Sequence, residues 1–253
     1  MAPPPLHHQE VSMKEQFLRT EMVLGPEAME RLAAAHVAVF GLGGVGSWAT
    51  EALARAGVGT LTLIDHDEVG VTNLNRQIQA LWSTQGQPKA EAMAARVRDI
   101  NPDCKVHSVV SKYEPANRED FFSVRYDYIV DAIDMVSSKL DLIQTAIERG
   151  IPILSALGTG NKLDPSQFRI TDISKTEGCP LARVIRKELR NRGIQHHRVL
   201  FSPELPHATD QRETPPPGRR SVPASVPWVP PVAGLMMAGN VVLTLAGLNP
   251  DSK

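Results

Sequence analysis

The residues from His36 to Gly46 constrain the fold more than any other part of the chain. His36-Val-Ala-Val-Phe40 is a short apolar run that predicts a buried strand, and Gly41-Leu-Gly-Gly-Val-Gly46 follows it directly. Residues 47–56 are mostly small and predict a helix, and Thr60-Leu-Thr-Leu-Ile64 predicts a second strand. A tight glycine turn between a strand and a helix, followed by another strand, indicates a βαβ unit with parallel strands.

Strand and helix patterns continue to alternate after this unit. Two helices precede it, and the pattern becomes weaker after residue 158. The further predicted elements are helices at 13–24, 27–35, 89–99, 137–149 and 180–192, and strands at 105–109, 126–130, 152–155, 168–173 and 199–202. The alternation predicts an α/β fold with a Rossmann-like, doubly wound and mainly parallel sheet, N-terminal helices and a C-terminal extension.

The chain is predicted to divide into four parts. Its 253 residues, 42% of them hydrophobic, suffice for one large α/β domain. The run Pro215-Pro216-Pro217 excludes the interior of a sheet and most helix. The predicted parts are a flexible N-terminal tail at 1–12, a main domain at 13–202 that includes the basic helix at 180–192, a mobile loop rich in proline and arginine at 203–231, and a C-terminal helix at 232–253 that packs on the main domain.

Composition argues against several classes of protein. Cys104 and Cys179 are the only cysteines and lie far apart, so neither a disulfide framework nor a four-thiolate zinc site is expected. The first residues lack the features of a secretory leader, and the apolar run at 232–248 is too short to span a bilayer. We therefore expect a cytoplasmic protein with no membrane segment. The net charge of −1 means that a nucleic acid would need a local basic patch.

The glycine turn predicts a nucleotide site. Gly41, Gly43, Gly44 and Gly46 let the backbone approach a phosphate, and the following helix offers N–H groups and the positive end of its dipole. Asp65 ends the next strand, where an acidic residue can accept a hydrogen bond from a ribose hydroxyl. These features alone favour NAD as the nucleotide. A turn that binds no ligand is the simpler alternative.

The polar residues that follow Asp65 favour ATP over NAD. A dehydrogenase has no evident need for such a cluster, which comprises Asp67, Asn73, Asn75, Arg76, Gln77 and, further along the chain, Lys89 and Asp134. Attack of a carboxylate on the α-phosphate of ATP brings two anions together, so the site must supply fixed cations and hydrogen-bond donors. Asp134 is of the chemical type that holds Mg²⁺ together with phosphates. Two simpler interpretations stay open: Asp134 as a helix cap and Lys89 as a solvated helix lysine.

A resemblance to a known family joins these residues. The nucleotide-binding core of the bacterial relatives of ubiquitin-activating enzymes resembles residues 41–77, GLGGVGSWATEALARAGVGTLTLIDHDEVGVTNLNRQ. Those enzymes adenylate the C-terminus of a sulfur-carrier protein or a related carboxylate. The resemblance implies that 13–202 is an ATP-binding adenylating domain in which the glycine loop cradles ATP, Asp65 meets the ribose, the Asn-Arg-Gln segment and Lys89 meet the phosphates, and Asp134 binds Mg²⁺. It also implies a homodimer in which Arg19 enters the partner's active site.

Within that family the chain looks most like the tRNA threonylcarbamoyladenosine dehydratases. Sulfur-carrier adenylating enzymes usually have two CxxC pairs that bind zinc, and this chain has no CxxC. The segments that match the dehydratases follow the family's order: FLRTEMVLG, NRQIQAL, GTGNKLDP, CPLAR and VPPVAG. The resemblance implies ATP-dependent cyclisation, with loss of water, of the threonylcarbamoyl group on an adenosine beside the tRNA anticodon. An enzyme for a ubiquitin-like sulfur carrier and a non-catalytic binding module remain alternatives, and a sulfur-relay protein is a candidate partner.

Such a reaction needs a surface for tRNA but no catalytic cysteine. The neighbouring carbamoyl oxygen can displace AMP from the activated carboxylate and close a five-membered ring. Cys179 stays a candidate nucleophile because it directly precedes the predicted helix at 180–192. The same helix is predicted to contact tRNA phosphates through four basic residues on one side: Arg183, Arg186, Lys187 and Arg190. An ordinary solvated helix face is the simpler interpretation of those charges.

Overall fold

Seven strands form a single sheet in the computed structural model, which describes residues 15–210, 212 and 222–248. The strands are β1 (His36–Phe40), β2 (Thr60–Ile64), β3 (Lys105–Val109), β4 (Tyr128–Asp131), β5 (Ile153–Ala156), β6 (Arg169–Asp172) and β7 (Arg198–Phe201). Their order across the sheet is β3-β2-β1-β4-β5-β7-β6, and only β6 runs antiparallel to its neighbour. The predicted fold class is confirmed. Since the chain moves outward in opposite directions from β1 and β4, a crevice is expected between the carboxyl ends of these strands.

Helices cover both faces of the sheet. They are α1 (Leu18–Leu24), α2 (Pro26–Ala34), α3 (Gly46–Arg55), α4 (Lys89–Ile100), α5 (Arg118–Phe121), α6 (Val136–Glu148), α7 (Pro180–Asn191) and α8 (Val229–Leu245). Most predicted elements differ from these bounds by one or two residues. The first predicted helix is divided, because 15–17 form a 3₁₀ turn before α1. The four-residue helix α5 is too short to have a recognisable periodicity and was not predicted.

Alternation along the strands divides the core between the two faces. In β1, Val37 and Val39 pack in the cluster that faces α3, α4 and α8, whereas Ala38 and Phe40 pack in the cluster that faces α6 and α7. All four side chains are completely buried. Burial on both sides explains why the strand is a continuous apolar run in the sequence. The sheet is therefore a rigid support for the loops at its carboxyl edge.

The last helix begins earlier than predicted. Helix α8 starts at Val229, whereas the sequence prediction placed the boundary at residue 232. Pro230 and Pro231 occupy the first turn, where proline needs no hydrogen-bond donor. A Cβ atom on Gly234 would lie 2.3 Å from the Val45 carbonyl oxygen, so glycine permits α8 to approach the start of α3 closely. The described helices include none that is long and apolar enough to cross a membrane.

Three predicted segments extend beyond the described residues. The predicted tail at 1–12 lies wholly outside them, and so do most of 211–221 in the predicted loop and 249–253 at the end of the predicted C-terminal helix. The described ends of the predicted loop, 203–210 and 222–228, contain no helix or strand. Both ends hydrogen-bond to residue 161, which follows β5.

Candidate active site

Two glycines of the loop after β1 are required by the turn itself. Gly41 has a φ of 87°, and a Cβ atom there would lie 2.7 Å from the carbonyl oxygen of Ala132. A Cβ atom on Gly46 would lie 1.8 Å from the carbonyl oxygen of Gly41. Side chains at either position would force the turn open, so these glycines are explained by the fold without a ligand.

The two middle glycines have different surroundings. A Cβ atom on Gly44 would contact Pro230 at 2.9 Å and the Cγ atom of Arg76 at 3.3 Å. Gly43 has no atom within 4 Å of its Cβ position, and its φ lies outside the left-handed region. Neither conformation nor crowding thus explains Gly43. Its open backbone, at the start of α3, can be approached by a ligand such as a phosphate.

Two buried side chains hydrogen-bond to the backbone of the glycine loop at Leu42. The Oδ2 atom of Asp65 accepts the N–H of Leu42 at 2.6 Å, and the Nε2 atom of Gln79 donates to the Leu42 carbonyl at 2.7 Å. The Oδ1 atom of Asp65 accepts the N–H of Asp67 at 2.9 Å. Asp65 therefore shapes the loop directly, in addition to its predicted contact with a ribose. The role of Gln79 was missed, since a lone glutamine carries no signal of its partner.

Lys89 is the first residue of α4 and is not a solvated helix lysine. Its side chain is only 7% exposed, and its Nζ atom lies 2.8 Å from the Oδ2 atom of Asp67, whose side chain is 52% exposed. The backbone N–H of Lys89 also donates to the Asp67 carbonyl. The structure thus brings together two predicted site residues and fixes a buried cation at the carboxyl end of β2.

Arg76 lies in the turn after β2 and packs against the glycine loop. Its Nη1 atom donates to the carbonyl of Thr72 and to the Oδ1 atom of Asn75, both at 2.8 Å. Its carbonyl accepts the indole N–H of Trp48 from α3 at 2.9 Å. As a whole residue, Arg76 is half-buried. These contacts keep the cation on the side of the loop where Gly44 lies.

The three amide side chains of the predicted cluster have distinct surroundings. Asn73 accepts the N–H of Gly70 at 3.0 Å and so closes its own turn. Asn75 is exposed and donates to the Ser225 carbonyl at 3.0 Å. Gln77 is buried. Of the three, Asn75 therefore links the cluster to a distant part of the chain.

Asp134 stands exposed in the short segment between β4 and α6. The N-cap residue of α6 is Met135, whose side chain makes no capping hydrogen bond. The turn is stabilised instead by Asp131, whose Oδ1 atom accepts the N–H of Ile133 at 3.0 Å. Asp134 follows β4 by three residues, and the carboxyl end of β4 borders the crevice between β1 and β4.

A buried ion pair supports this turn from below. The Oδ2 atom of Asp131 lies 2.7 Å from the Nζ atom of Lys139 in α6, and both side chains are almost completely buried.

His197 is also buried and shares a hydrogen bond of 2.8 Å with the hydroxyl of Ser155. Burial, reinforced by the charge of Lys139, lowers the pKa of His197 to about 3. His197 is therefore neutral at physiological pH.

One further group of side chains has the composition of a cation site. Asp65, His66 and Asp67 place one ligand atom each within 4.8 Å of one another. Two N–H groups already occupy the Asp65 oxygens, and the Lys89 ammonium lies on Asp67. A metal ion there would have to displace that ammonium. The binding of Mg²⁺ by Asp134 stays a prediction.

Arg19 lies on α1. It is exposed, and no hydrogen bond or ion pair joins it to residues 41–46 among those that the structure describes. The same helix exposes three large apolar side chains: Leu18, Met22 and Val23. Within one chain, the structure thus does not bring Arg19 together with the other predicted site residues.

Helix α7 exposes three of its four predicted basic residues. Arg183, Lys187 and Arg190 are exposed, while Ala182, Ile185 and Leu189 are buried against the sheet. Arg186 is half-buried, and its Nη1 atom donates to the carbonyl and hydroxyl of Thr176 at 2.7 and 2.5 Å. Arg186 therefore supports the turn before the helix, and its predicted contact with tRNA stays a prediction.

Cys179 is the N-cap residue of α7. Its Sγ atom accepts the N–H of Ala182 at 3.5 Å, and the residue is 4% exposed. A sulfur atom in that position stabilises the helix start but offers little access to a substrate. The structure therefore favours a structural role over the predicted nucleophile.

Comparisons with known proteins agree with this geometry. The model of the ThiF family matches residues 16–253. The tRNA threonylcarbamoyladenosine dehydratase of Bacillus subtilis (strain 168) is 44% identical over 242 residues, which cover 92% of this chain and 95% of that protein. The crystal structures of the Escherichia coli tRNA N6-threonylcarbamoyladenosine dehydratase with ATP and with AMP have TM-scores of 0.81 and 0.82, each with 37% identity over 92% of this chain and 96% of theirs.

Proposed function

The chain belongs to the ThiF family, and from this membership we propose that it is an ATP-dependent tRNA threonylcarbamoyladenosine dehydratase. One observation carries the proposal. At the edge of the sheet where the strand order reverses, Gly43 leaves its backbone open, and a buried cation, Lys89, is connected to the same loop through Asp67 and Asp65. Such a site suits a polyphosphate, and the likeness to the Bacillus subtilis dehydratase over nearly the whole chain suggests the acceptor.

The first step is transfer of AMP to the threonyl carboxylate. A carboxylate oxygen attacks the α-phosphorus of ATP, and pyrophosphate leaves. The Gly43 backbone and the start of α3 bind phosphate oxygens, and the cations of Arg76 and Lys89 stabilise the charge that develops on them. When ATP binds, the Lys89 ammonium leaves the Asp67 carboxylate and binds phosphate oxygens instead. The carboxylate of Asp65 meets the ribose through the lone pairs that its two N–H contacts leave unused.

Mg²⁺ accompanies ATP in this proposal. Asp134 is an exposed carboxylate at the edge of the crevice, and oxygen ligands are those that Mg²⁺ prefers. Asp134 would hold the ion together with phosphate oxygens. Bound there, Mg²⁺ would neutralise charge on the departing pyrophosphate.

The second step is ring closure within the substrate. The carbamoyl oxygen attacks the activated carbonyl carbon, AMP leaves, and a five-membered ring forms with loss of a proton. The substrate carries its own nucleophile at high effective concentration, so the enzyme needs to orient it and exclude water. The buried position of Cys179 fits a reaction without an enzyme nucleophile. The reaction takes place in the cytoplasm, where tRNA and ATP occur together.

The substrate tRNA binds on the exposed side of α7. Arg183, Lys187 and Arg190 present three positive charges on one face. Phosphate contacts of this kind hold an RNA in place without reading its sequence. Arg186 contributes charge but keeps its hydrogen bonds to Thr176.

The active enzyme is a homodimer in which Arg19 serves the partner's site. Met22 and Val23 on the same helix are 78% and 81% exposed, and such apolar exposure favours a protein interface.

Mixing two inactive variants tests whether Arg19 acts in the partner's site. Arg19→Ala and Asp134→Ala chains, each inactive alone, should regain activity when mixed, because a heterodimer then has one complete site. Arg19 acting within its own chain predicts no recovery.

A sulfur-carrier adenylating enzyme is the alternative. Its partner would be a small ubiquitin-like protein, and the chain lacks the CxxC pairs typical of that group.

To test the proposed function against this alternative, the protein is incubated with ATP, Mg²⁺ and tRNA that contains threonylcarbamoyladenosine. The tRNA is then digested under mild conditions, and the mass of the nucleoside is measured. Loss of one water only with ATP supports the dehydratase. An unchanged nucleoside, with pyrophosphate exchange that depends on a carrier protein, supports the alternative.

A further inference from the structure

Asn161 has an unusual backbone conformation. Among the residues that the structure describes, it is the only non-glycine residue with a positive φ, at 57°. Asparagine tolerates this left-handed region better than most residues, yet the conformation remains uncommon. Asn161 lies in the loop that leaves the carboxyl end of β5, the edge of the sheet that carries the candidate active site. An uncommon conformation in such a place raises the question of what it holds.

Asn161 joins two segments that are distant in sequence. Its backbone N–H donates to the Ala224 carbonyl at 2.8 Å, and its Oδ1 atom accepts the Ala224 N–H at 2.7 Å. Its own carbonyl accepts the N–H of His207 at 2.8 Å. One residue thus satisfies both backbone groups of Ala224.

The residues beside Asn161 fix the same segment, residues 222–228, which we name the strap. A Cβ atom on Gly160 would lie 2.8 Å from the Cβ atom of Pro223, so glycine is needed for their close packing. The indole N–H of Trp228 donates to the Leu163 carbonyl at 2.8 Å. Three positions of the loop after β5 therefore hold the strap along its length.

The other side of the strap contacts the candidate nucleotide site. The Nδ2 atom of Asn75 donates to the Ser225 carbonyl at 3.0 Å. Two residues beyond the strap, Pro230 packs against Gly44 of the glycine loop. The strap thus runs from the loop after β5 to the turn that carries Arg76, and it crosses the edge of the sheet between them.

We infer that Asn161 is a positioning residue for the ring-closure step, because it holds the strap over the place where the activated carboxylate forms. The inference rests on the proposed function. In that position the strap shields the acyl-adenylate from water while the carbamoyl oxygen attacks. Asn161 touches neither ATP nor the reacting atoms, so its loss changes the fate of the intermediate rather than its formation.

Two reactions compete for the acyl-adenylate. In ring closure, the carbamoyl oxygen forms a bond to the carbonyl carbon, the bond from that carbon to the AMP oxygen breaks, and a proton leaves the carbamoyl nitrogen. In hydrolysis, a water oxygen forms the bond to that carbon instead, the same bond to the AMP oxygen breaks, and the products are AMP, the original carboxylate and two protons. Both release AMP, but only ring closure yields the cyclic nucleoside. The ratio of cyclic nucleoside to AMP thus measures how well water is excluded.

The test uses Asn161→Gly and Asn161→Asp in the full-length protein. Glycine keeps the positive φ without strain and removes the Oδ1 acceptor, whereas aspartate keeps an acceptor for the Ala224 N–H. With saturating ATP, Mg²⁺ and threonylcarbamoyladenosine-containing tRNA, we expect Asn161→Gly to release pyrophosphate within about twofold of wild type. Its yield of cyclic nucleoside per AMP should fall about tenfold, the scale of one lost hydrogen bond. Asn161→Asp should retain the wild-type yield per AMP.

The outcomes separate this inference from the proposed function. An unchanged yield per AMP in Asn161→Gly overturns the inference, and so does an equal loss in Asn161→Asp. A parallel fall of pyrophosphate release and cyclic nucleoside also overturns it, since that pattern indicates a damaged site. If the wild-type protein itself makes no cyclic nucleoside from this tRNA, the proposed function fails and the inference fails with it.

Discussion

The two halves of the carboxyl edge of the sheet are held by different kinds of contact. In the half around β1, β2 and β4, which we name the nucleotide half, charged or amide side chains other than Asn75 bind backbone or side chains within this half, as in the pair Lys89–Asp67. In the half around β5, β7 and α7, which we name the acceptor half, loops bind across long stretches of chain, as Asn161 binds Ala224. The difference suggests that the nucleotide half is largely preformed, whereas the acceptor half depends on how distant segments meet.

The largest expected effect lies in the nucleotide half. Asp134→Ala should lower tRNA-dependent pyrophosphate release at least about a hundredfold, because the site loses the carboxylate assigned to Mg²⁺. Thermal unfolding should change little, since Asp134 is exposed. Asp103→Ala, a substitution of another exposed aspartate, is the matched control. Wild-type rates in Asp134→Ala would remove this residue from the mechanism.

The support beneath the nucleotide half can be tested through the buried pair Asp131–Lys139. Lys139→Met leaves a buried carboxylate without its partner and should lower the free energy of unfolding by about 3 to 5 kcal/mol. The exposed pair Lys112–Glu114 provides the control. Lys112→Met should change the free energy of unfolding by about 1 kcal/mol or less. Denaturant unfolding of both variants checks this. Equal losses of stability in the two variants would mean that the buried pair stabilises the fold no more than the exposed pair does.

A smaller effect is expected on the pH dependence of folding stability, through His197 in the acceptor half. The pKa of His197 is lowered to about 3 by burial and by Lys139, whereas an unfolded histidine titrates near its ordinary value of 6.5. Between these values the unfolded chain binds a proton that the folded chain does not, so stability is lost as the pH falls. From pH 7 to pH 5 this loss should be about 2 kcal/mol, and His197→Gln should remove it.

The neighbouring histidine serves as the control for this titration. His196 is exposed and lies 3.3 Å from a carboxylate oxygen of Asp172. An exposed ion pair contributes little to stability, so His196→Gln should alter the pH dependence by less than about 1 kcal/mol. Unfolding measured by denaturant at both pH values compares the variants. A pH dependence in His197→Gln as steep as in wild type would contradict the assignment.

The smallest effect is predicted for the basic face of α7. Reversing the charges of Arg183, Lys187 and Arg190 to glutamate should raise the KM for tRNA about tenfold, with the increase greatest at low salt, because phosphate contacts are lost and such contacts weaken as the salt concentration rises. The kcat at saturating tRNA should change little. Reversal of Lys105 and Lys112, which lie near the opposite edge of the sheet, should have no such effect. An unchanged KM in the α7 variant would mean that tRNA binds elsewhere.

Much of the nucleotide half could be predicted from the sequence because its signals are local. The strand at 36–40, the glycine turn and the second strand occur within thirty residues, and each has its own composition. The strands β1, β2 and β3 have the predicted bounds. The pairing of Lys139 with Asp131 was missed, since a lysine within an apolar helix gives no sign of its partner.

The acceptor half was less predictable because its contacts are distant. Nothing in the residues around Asn161 indicates that they bind residue 224, and Arg186 has the same spacing as its exposed neighbours on α7 although it binds Thr176. The early start of α8 was missed because two prolines usually indicate a loop, whereas the first turn of a helix accepts them. Such features depend on which segments pack together, and periodicity in one segment does not contain that information.

The central claim, dehydration through an acyl-adenylate, is tested most directly with oxygen-18 in the threonyl carboxylate of the tRNA. The labelled tRNA is incubated with the protein, ATP and Mg²⁺, and both the nucleoside and AMP are weighed. We predict a nucleoside that is lighter by one labelled water and an AMP that carries one labelled oxygen, because the carboxylate oxygen leaves with AMP. An unchanged nucleoside, or a dehydrated nucleoside together with unlabelled AMP, would contradict the account.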